Sequence, residues 1–185
     1  PYQPFNYALE VCAAVAAACA EAVRPQATVE TVIAEALRHL SSSPLAEVEA
    51  ALGWTHEAAD VWALRPRFAA KYQGRPPSNA VEALSAGLAI LRMVQGDTHR
   101  AILAAVNFGR DCDCISYVAV GLSAALNGLG DTPREWLDTV DEELKADPYT
   151  VSRRSLAQTA SGLHEAAVNE LLRSRHRVAE IESLI

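Results

Sequence analysis

The sequence predicts one all-α domain whose helices pack at varied angles, and three observations predict it. Half of the residues are hydrophobic, with alanine dominant, and 21% are charged, the balance of a globular chain and not a disordered one. Nine glycines and nine prolines sit between the apolar runs rather than inside them, where they punctuate helices. Alternation of period two, the mark of strands, is hard to find anywhere. A length of 185 residues suffices for one domain with a real core, so residues 1–185 are read as a single all-α unit.

The elements follow in order. Residues 5–23 read as a buried, Ala-rich helix with charge only at Glu10 and Glu21, ended by Pro25. Thr28 can cap a second helix over residues 29–40. Ser43-Pro44 carries a cap-then-proline start for a short third helix to Leu52, closed by Gly53. Thr55 can cap a fourth over residues 56–64, carrying Trp62. Residues 65–78 then hold three prolines, one glycine and four basic residues and read as an exposed loop, a connector or a lid over a site. Asn79 and Glu82 form a capping-box-like start for a helix to Val94. Gly96 ends it, and Asp97 caps the next, residues 98–106. Residues 111–114 form a loop. The helix over residues 115–129 follows, with Gly121, Ser123, Ala124 and Ala125 permitting close helix approach. Thr132-Pro133-Arg134-Glu135 is a strong start for a helix to Ala146, broken by Pro148. Ser152 or Ser155 opens a last long helix within residues 152–185. The total is about eight or nine helices without a repeat of fixed period.

Composition narrows the function classes. The formal charge is −7, which repels phosphate backbones and argues against nucleic acid as a partner. The basic cluster Arg173-Ser174-Arg175-His176-Arg177 reads as a solvated helix face. No membrane span or signal peptide is visible; the apolar run 11–20 is too short to cross a bilayer. Pro1 is compatible with a trimmed initiator methionine or a proteolytic cut. The spacings of Cys12 with Cys19 and of Cys112 with Cys114 make disulfides awkward, so the four cysteines read as reduced and the location as cytoplasmic.

The most informative run is Asn107-Phe108-Gly109-Arg110-Asp111-Cys112-Asp113-Cys114. It places two carboxylates one residue apart before a small-residue helix. On a helix such a pair diverges; in a loop it can converge on one ion, and with backbone carbonyls and water it suits a hard cation such as Mg²⁺. The alternative is capping, with Asp113 on the helix end and Asp111 shaping the turn.

The stretch from Asn79 to Trp136 resembles the ADP-ribosylglycohydrolase family, the dinitrogenase-reductase-activating glycohydrolases and their relatives. Those proteins carry an apolar helix, then Asn-hydrophobic-Gly-(Gly/Arg)-Asp-Thr-Asp-Thr, an Ala/Gly-rich helix, a Tyr/Asn-Gly turn and a Pro-x-x-Trp helix. Here the matching pieces are Ala101 to Val106, Asn107 to Cys114, Ile115 to Leu126, Asn127-Gly128 and Pro133-Arg134-Glu135-Trp136. The resemblance implies an orthogonal multi-helix bundle, incomplete in this chain, around one or two Mg²⁺ ions. It implies Asp111, Asp113 and Cys114 as metal ligands and hydrolysis of a ribosyl (ADP-ribosyl) glycosidic bond at the anomeric carbon. Arg110, Asn107 and Ser116 are candidates for substrate contact. Arg110 could instead brace a helix, and Asn107 could fix the loop.

Two departures bear on that expectation. Both threonines of the motif are cysteine here. A thiol at Cys114 replaces a hard hydroxyl donor, which favours Mn²⁺ or another softer ion; zinc would want a second cysteine pair. The chain also lacks the family's Thr-Asp-Asp cluster, its catalytic Glu and most of its nucleotide-contacting residues, so it resembles the carboxy-terminal half of such an enzyme. The catalytic residue is then expected on an amino-terminal half or companion chain, from a processed precursor, a split gene or a truncation. Pro1-Tyr2-Gln3-Pro4 stands where a His-rich turn would be. The alternative function is a non-catalytic relative that binds a nucleotide or partner. His39, His56, His99, His164 and His176 are scattered and read as polar surface, while Trp54, Trp62 and Trp136 read as packing residues.

Overall fold

The computed structural model describes residues 5–149 and 153–184. Pro1 to Pro4 and Ser152, with the turn and the cap expected there, lie outside the described residues. Among the described residues the chain is helical throughout, as expected: α1 (Phe5–Ala22), α2 (Val29–Leu37), α3 (Ser42–Trp54), a 3₁₀ turn (Val61–Leu64), α4 (Arg65–Lys71), α5 (Ala80–Met93), α6 (Thr98–Phe108), α7 (Cys112–Asn127), α8 (Arg134–Ala146) and α9 (Leu156–Glu182). Where the sequence reading expects a single unit, the chain divides into two, residues 1–132 and 133–185.

Helix α5 is the axis of the first unit. Every residue from Val81 to Leu91 is buried, as suits a helix that is apolar all round. One of its sides joins Val11, Ala14 and Ala18 of α1, Val32 and Ile33 of α2, and Val118 and Leu122 of α7. The other joins Leu64, Phe68, Tyr72, Ala101, Ala105, Phe108 and Ile115. The close approach of α5 and α7 rests on Gly87, where a Cβ would stand 2.6 Å from the Val118 side chain. Gly121, expected to serve that purpose, has open space around it.

Among the α1 residues whose burial is described, from Tyr7 to Ala22, the helix buries the stripe Val11, Ala14, Ala18 and Ala22, leaving Leu9 and Cys12 exposed. The four cysteines are free. At α3 the cap falls two residues before the expected Ser43: Ser41 is the N-cap, but its hydroxyl and amide donate to Glu10 at 2.8 and 2.9 Å. Gly53 lies inside that helix. The expected helix over residues 56–64 is instead a turn and a short 3₁₀ segment capped by Asp60.

The largest correction concerns residues 65–78. Half of the expected loop is helix α4. Leu64, Phe68 and Tyr72, spaced by four, are all buried, and Phe68 meets Trp54 edge-on at 5.2 Å and Phe108 edge-on at 5.3 Å. Pro66 falls in the first turn, where a missing N–H leaves no hydrogen bond unmade. Proline density therefore marks a helix start here.

In the second unit, α8 and α9 contain no buried residue. Ser155 caps α9 in a reciprocal box with Gln158. Three members of the basic cluster pair within their own helix: Arg173 and Arg177 reach Glu170, and His176 reaches Glu180. Among the described residues no helix is long and apolar enough to cross a membrane.

Candidate metal centre

Three residues connect α6 to α7. Gly109 takes φ +90° and Arg110 φ +55°, both left-handed, and Asp111 then enters α7 as its N-cap residue. Gly109 is suited to its position. A left-handed arginine costs on the order of 1–2 kcal/mol, and its side chain shows what offsets that. Arg110 Nε and Nη2 fork onto the two carboxylate oxygens of Glu82, the Nη2 arm at 2.9 Å, and Nη2 also reaches the Arg75 carbonyl at 3.3 Å. Glu82 is 1% exposed in the middle of the apolar core. Burial pushes its carboxyl pKa up, and Arg110 opposes that shift. On the other side of the turn, Arg65 Nε donates to the Phe108 carbonyl at 2.9 Å. Arg110 within the turn, anchored on Glu82 of α5, and Arg65 of α4 thus fix its path.

At the tip stand Asp111, Asp113 and Cys114, whose ligating atoms all lie within 4.8 Å of one another. Asp111 is half-buried, and Asp113 and Cys114 are exposed. Asp111 occupies the N-cap position yet makes no side-chain capping bond; its Oδ2 is shielded from water and has no hydrogen-bond partner. Asp111 therefore does not cap, since a capping carboxylate spends its oxygens on backbone amides; the capping expected of Asp113 is present, its carboxylate taking the amides of Asp113 and Cys114. The Asp113 carboxylate alongside it raises the Asp111 pKa, with burial adding to the effect. The Asp113 pKa is lowered, first by its hydrogen bond with Asp111 and then by the amides of Asp113 and Cys114. Beside Asp111 the Cys114 thiol is pushed up and stays protonated. Two carboxylates this close make each other's ionisation less favourable, and a proton or a cation between them relieves that cost. The orphaned Asp111 oxygen and the oxygen-rich donor pair fit a hard divalent cation; the thiol is the donor that departs from that chemistry.

The other predicted residues are elsewhere. Arg110 braces Glu82. Asn107 lies in the last turn of α6, its Nδ2 donating to the Leu103 carbonyl at 2.9 Å. Ser116 donates to the Cys112 carbonyl at 2.6 Å within α7. Of six candidates, the structure gathers Asp111, Asp113 and Cys114. Glu82, taken from sequence as the far half of a capping box, was the residue missed: Asn79 Oδ1 does accept from the Glu82 amide at 3.1 Å, but the Glu82 side chain turns inward to Arg110. The available signal was a single charge in the otherwise apolar run Ala80 to Leu91.

The model of the ADP-ribosylglycohydrolase family matches residues 5–172, and the chain belongs to that family. A search of the curated proteins gave no match, and a search of the solved structures gave none either.

Proposed function

We propose that this ADP-ribosylglycohydrolase-family chain is part of a divalent-metal-dependent hydrolase that cleaves a ribosyl, specifically an ADP-ribosyl, glycosidic bond. Its contribution is one side of the metal cradle, formed by Asp111, Asp113 and the weaker donor Cys114. The observation that carries the reading is the convergence of those donor atoms within 4.8 Å, with Asp111 Oδ2 buried and unpartnered. Mg²⁺ is the ion that two carboxylates favour, and Mn²⁺ the one that tolerates the thiol better. A bound divalent cation supplies positive charge for ribose hydroxyls and for an attacking water. The chain's own work is to hold the acid pair still: Glu82, through Arg110, and Arg65, through the Phe108 carbonyl, set the turn before any ligand arrives.

The general acid or base comes, in this reading, from an amino-terminal half or companion chain, together with further metal ligands. Among the described residues Glu82 is the one buried carboxylate, and Arg110 consumes both of its oxygens. Tyr117, one turn beyond Asp113 on the same face of α7, is 78% exposed, and Leu103 and Val106 of α6 are exposed as well. Apolar surface beside a half-complete donor set supports a covering partner.

The test is Asp113→Ala in the assembled complex. Mn²⁺ affinity by calorimetry and release of ADP-ribose from a modified protein should both fall by at least about a hundredfold, more than the loss typical of an outer-shell change. Unchanged turnover removes the metal role. Cys114 supports a second reading, a non-catalytic relative that binds nucleotide; nucleotide binding without any Mg²⁺ or Mn²⁺ binding would select it.

A further inference from the structure

Helix α9 is 27 residues long and none of them is buried. It reaches about 40 Å, and its apolar side chains are ordered along that length. Leu156, Leu163, Leu171, Val178 and Ile181 are each at least 42% exposed. Small residues, Ala160, Ala167 and Ser174, complete a series of three- and four-residue steps between them. The whole series falls within about 80° around the helix axis. A helix that faces a globular core carries a wider apolar stripe, whereas a seam this narrow is that of a coiled coil. Val168 and Leu172 lie to one side of it. Two consecutive steps of four, Leu163 to Ala167 to Leu171, are the stutter that coiled coils absorb by local unwinding.

The charges beside the seam point to its occupant. With Leu171 and Val178 at a positions and Ser174 and Ile181 at d, Glu170 and Arg177 stand at g, and Arg175 and Glu182 at e. In a parallel, in-register pair each g residue faces the e residue five positions on in the other helix. Glu170 then meets the partner's Arg175, and Arg177 meets the partner's Glu182. Two-fold symmetry makes each contact twice. Within one chain Glu170 already holds Arg173 and Arg177, but among the described residues Arg175 and Glu182 make no ion pair. An antiparallel pair sets g against g, and would bring Glu170 beside its own copy near mid-helix.

We infer that α9 is a dimerisation helix, its seam covered by the α9 of a second copy of this chain in a parallel coiled coil. Both signs of charge are complementary to the same helix in the same register, which an unrelated partner has no reason to match. The two alanines and the serine in the seam keep the interface modest, at the weak end of specific associations. The inference goes beyond the hydrolase reading and does not rest on it.

The experiment is sedimentation equilibrium of the full chain and of two charge-reversed variants. At about 100 μM the parent should sediment chiefly as a dimer. Glu170→Arg sets like charges across both copies of one contact, and so does Arg175→Glu, so each variant alone should dimerise about tenfold more weakly. Mixing the two variants restores opposite charges at that contact, and the mixture should recover the parent's affinity as a heterodimer. The mixture also guards against misfolding, because a chain that had failed to fold would not be rescued. Arg173→Glu, at the outward c position, should dimerise as the parent does. A monomeric parent, single variants that associate like the parent, or a mixture no tighter than either variant would each overturn the inference. The dimer should form equally in chelator and in Asp113→Ala, so loss of the metal role would leave it standing.

Discussion

At one end of the α6–α7 hairpin, Thr98 Oγ1 donates to the Gly128 carbonyl at 2.6 Å and Asn127 Nδ2 to the Gly96 carbonyl at 3.0 Å. At the other end, Asp111 Oδ2 is equally shielded and nothing answers it. Both ends use glycine at positive φ, Gly96 and Gly128 at +72° and Gly109 at +90°. Both bring short polar side chains to helix termini. The first end closes on itself, each donor meeting a carbonyl across the hairpin. The second end spends its hydrogen bonds behind the turn, on Glu82 and Phe108, and leaves acceptors facing acceptors in front. A buried polar group without a partner is rare enough to need a reason, and such exceptions concentrate where function overrides stability. The contrast supports the proposed role of the acid end as a ligand cradle, and the opposite end is a staple.

The contrast breaks most visibly if the support behind the turn is removed. Arg110→Ala strands the Glu82 carboxylate in the core, and removing one partner of a buried pair costs about 3 kcal/mol. Urea denaturation should show that loss, and Mn²⁺ affinity should fall with it because the turn is no longer held. Stability near that of the parent would mean that the Glu82–Arg110 fork does not anchor the turn.

The staple should behave differently. Asn127→Ala removes one hydrogen bond at the far end of the hairpin, worth about 1 kcal/mol. Denaturation should register that cost, whereas Mn²⁺ affinity should not change. A comparable loss of metal affinity would show the two ends to be coupled through α7, against the division of labour drawn here.

Much of this was legible in the sequence, and the failures have physical causes. Caps at Thr28, Asp97 and Ser155 were readable because each accepts from an amide three residues on, a purely local event. The acid pair was readable for the same reason. Ser41 was missed because its hydroxyl bonds Glu10, 31 residues away. Helix α4 was missed because three prolines and a glycine within residues 65–78 outweighed the four-residue spacing of Leu64, Phe68 and Tyr72. With α4 went Arg65, whose Nε holds the Phe108 carbonyl. Glu82 was missed because its local partner, the Asn79 cap, is real, and the deciding partner lies 28 residues later. Long-range satisfaction of polar groups is what a local pattern does not carry.

The smallest predicted effect has the opposite sign. In the metal-free protein the Asp111 carboxyl is held above its ordinary value, by Asp113 first and burial second. An acid raised in the folded state binds more protons there than when unfolded. Its ionised form therefore weakens the fold, and stability contributed by the group fades as pH rises from the ordinary aspartate range through the raised value. Asp113, lowered, works the other way: its contribution is present above the ordinary range and is lost as pH falls through the lowered value. At neutral pH the Asp111 charge is then a liability that a cation removes. Asp111→Asn keeps the shape and deletes the charge, so the metal-free variant should be more stable than the parent at neutral pH, by less than about 1 kcal/mol given the solvent reaching Asp113. The gain should shrink in acid, where the parent's Asp111 is already protonated. The same variant should lose Mn²⁺ affinity and the metal-dependent rise in melting temperature expected of the parent. A residue kept for folding would give the reverse, an asparagine variant less stable at every pH; the staple residue Asn127 supplies the internal control, because its replacement should weaken the fold with or without metal.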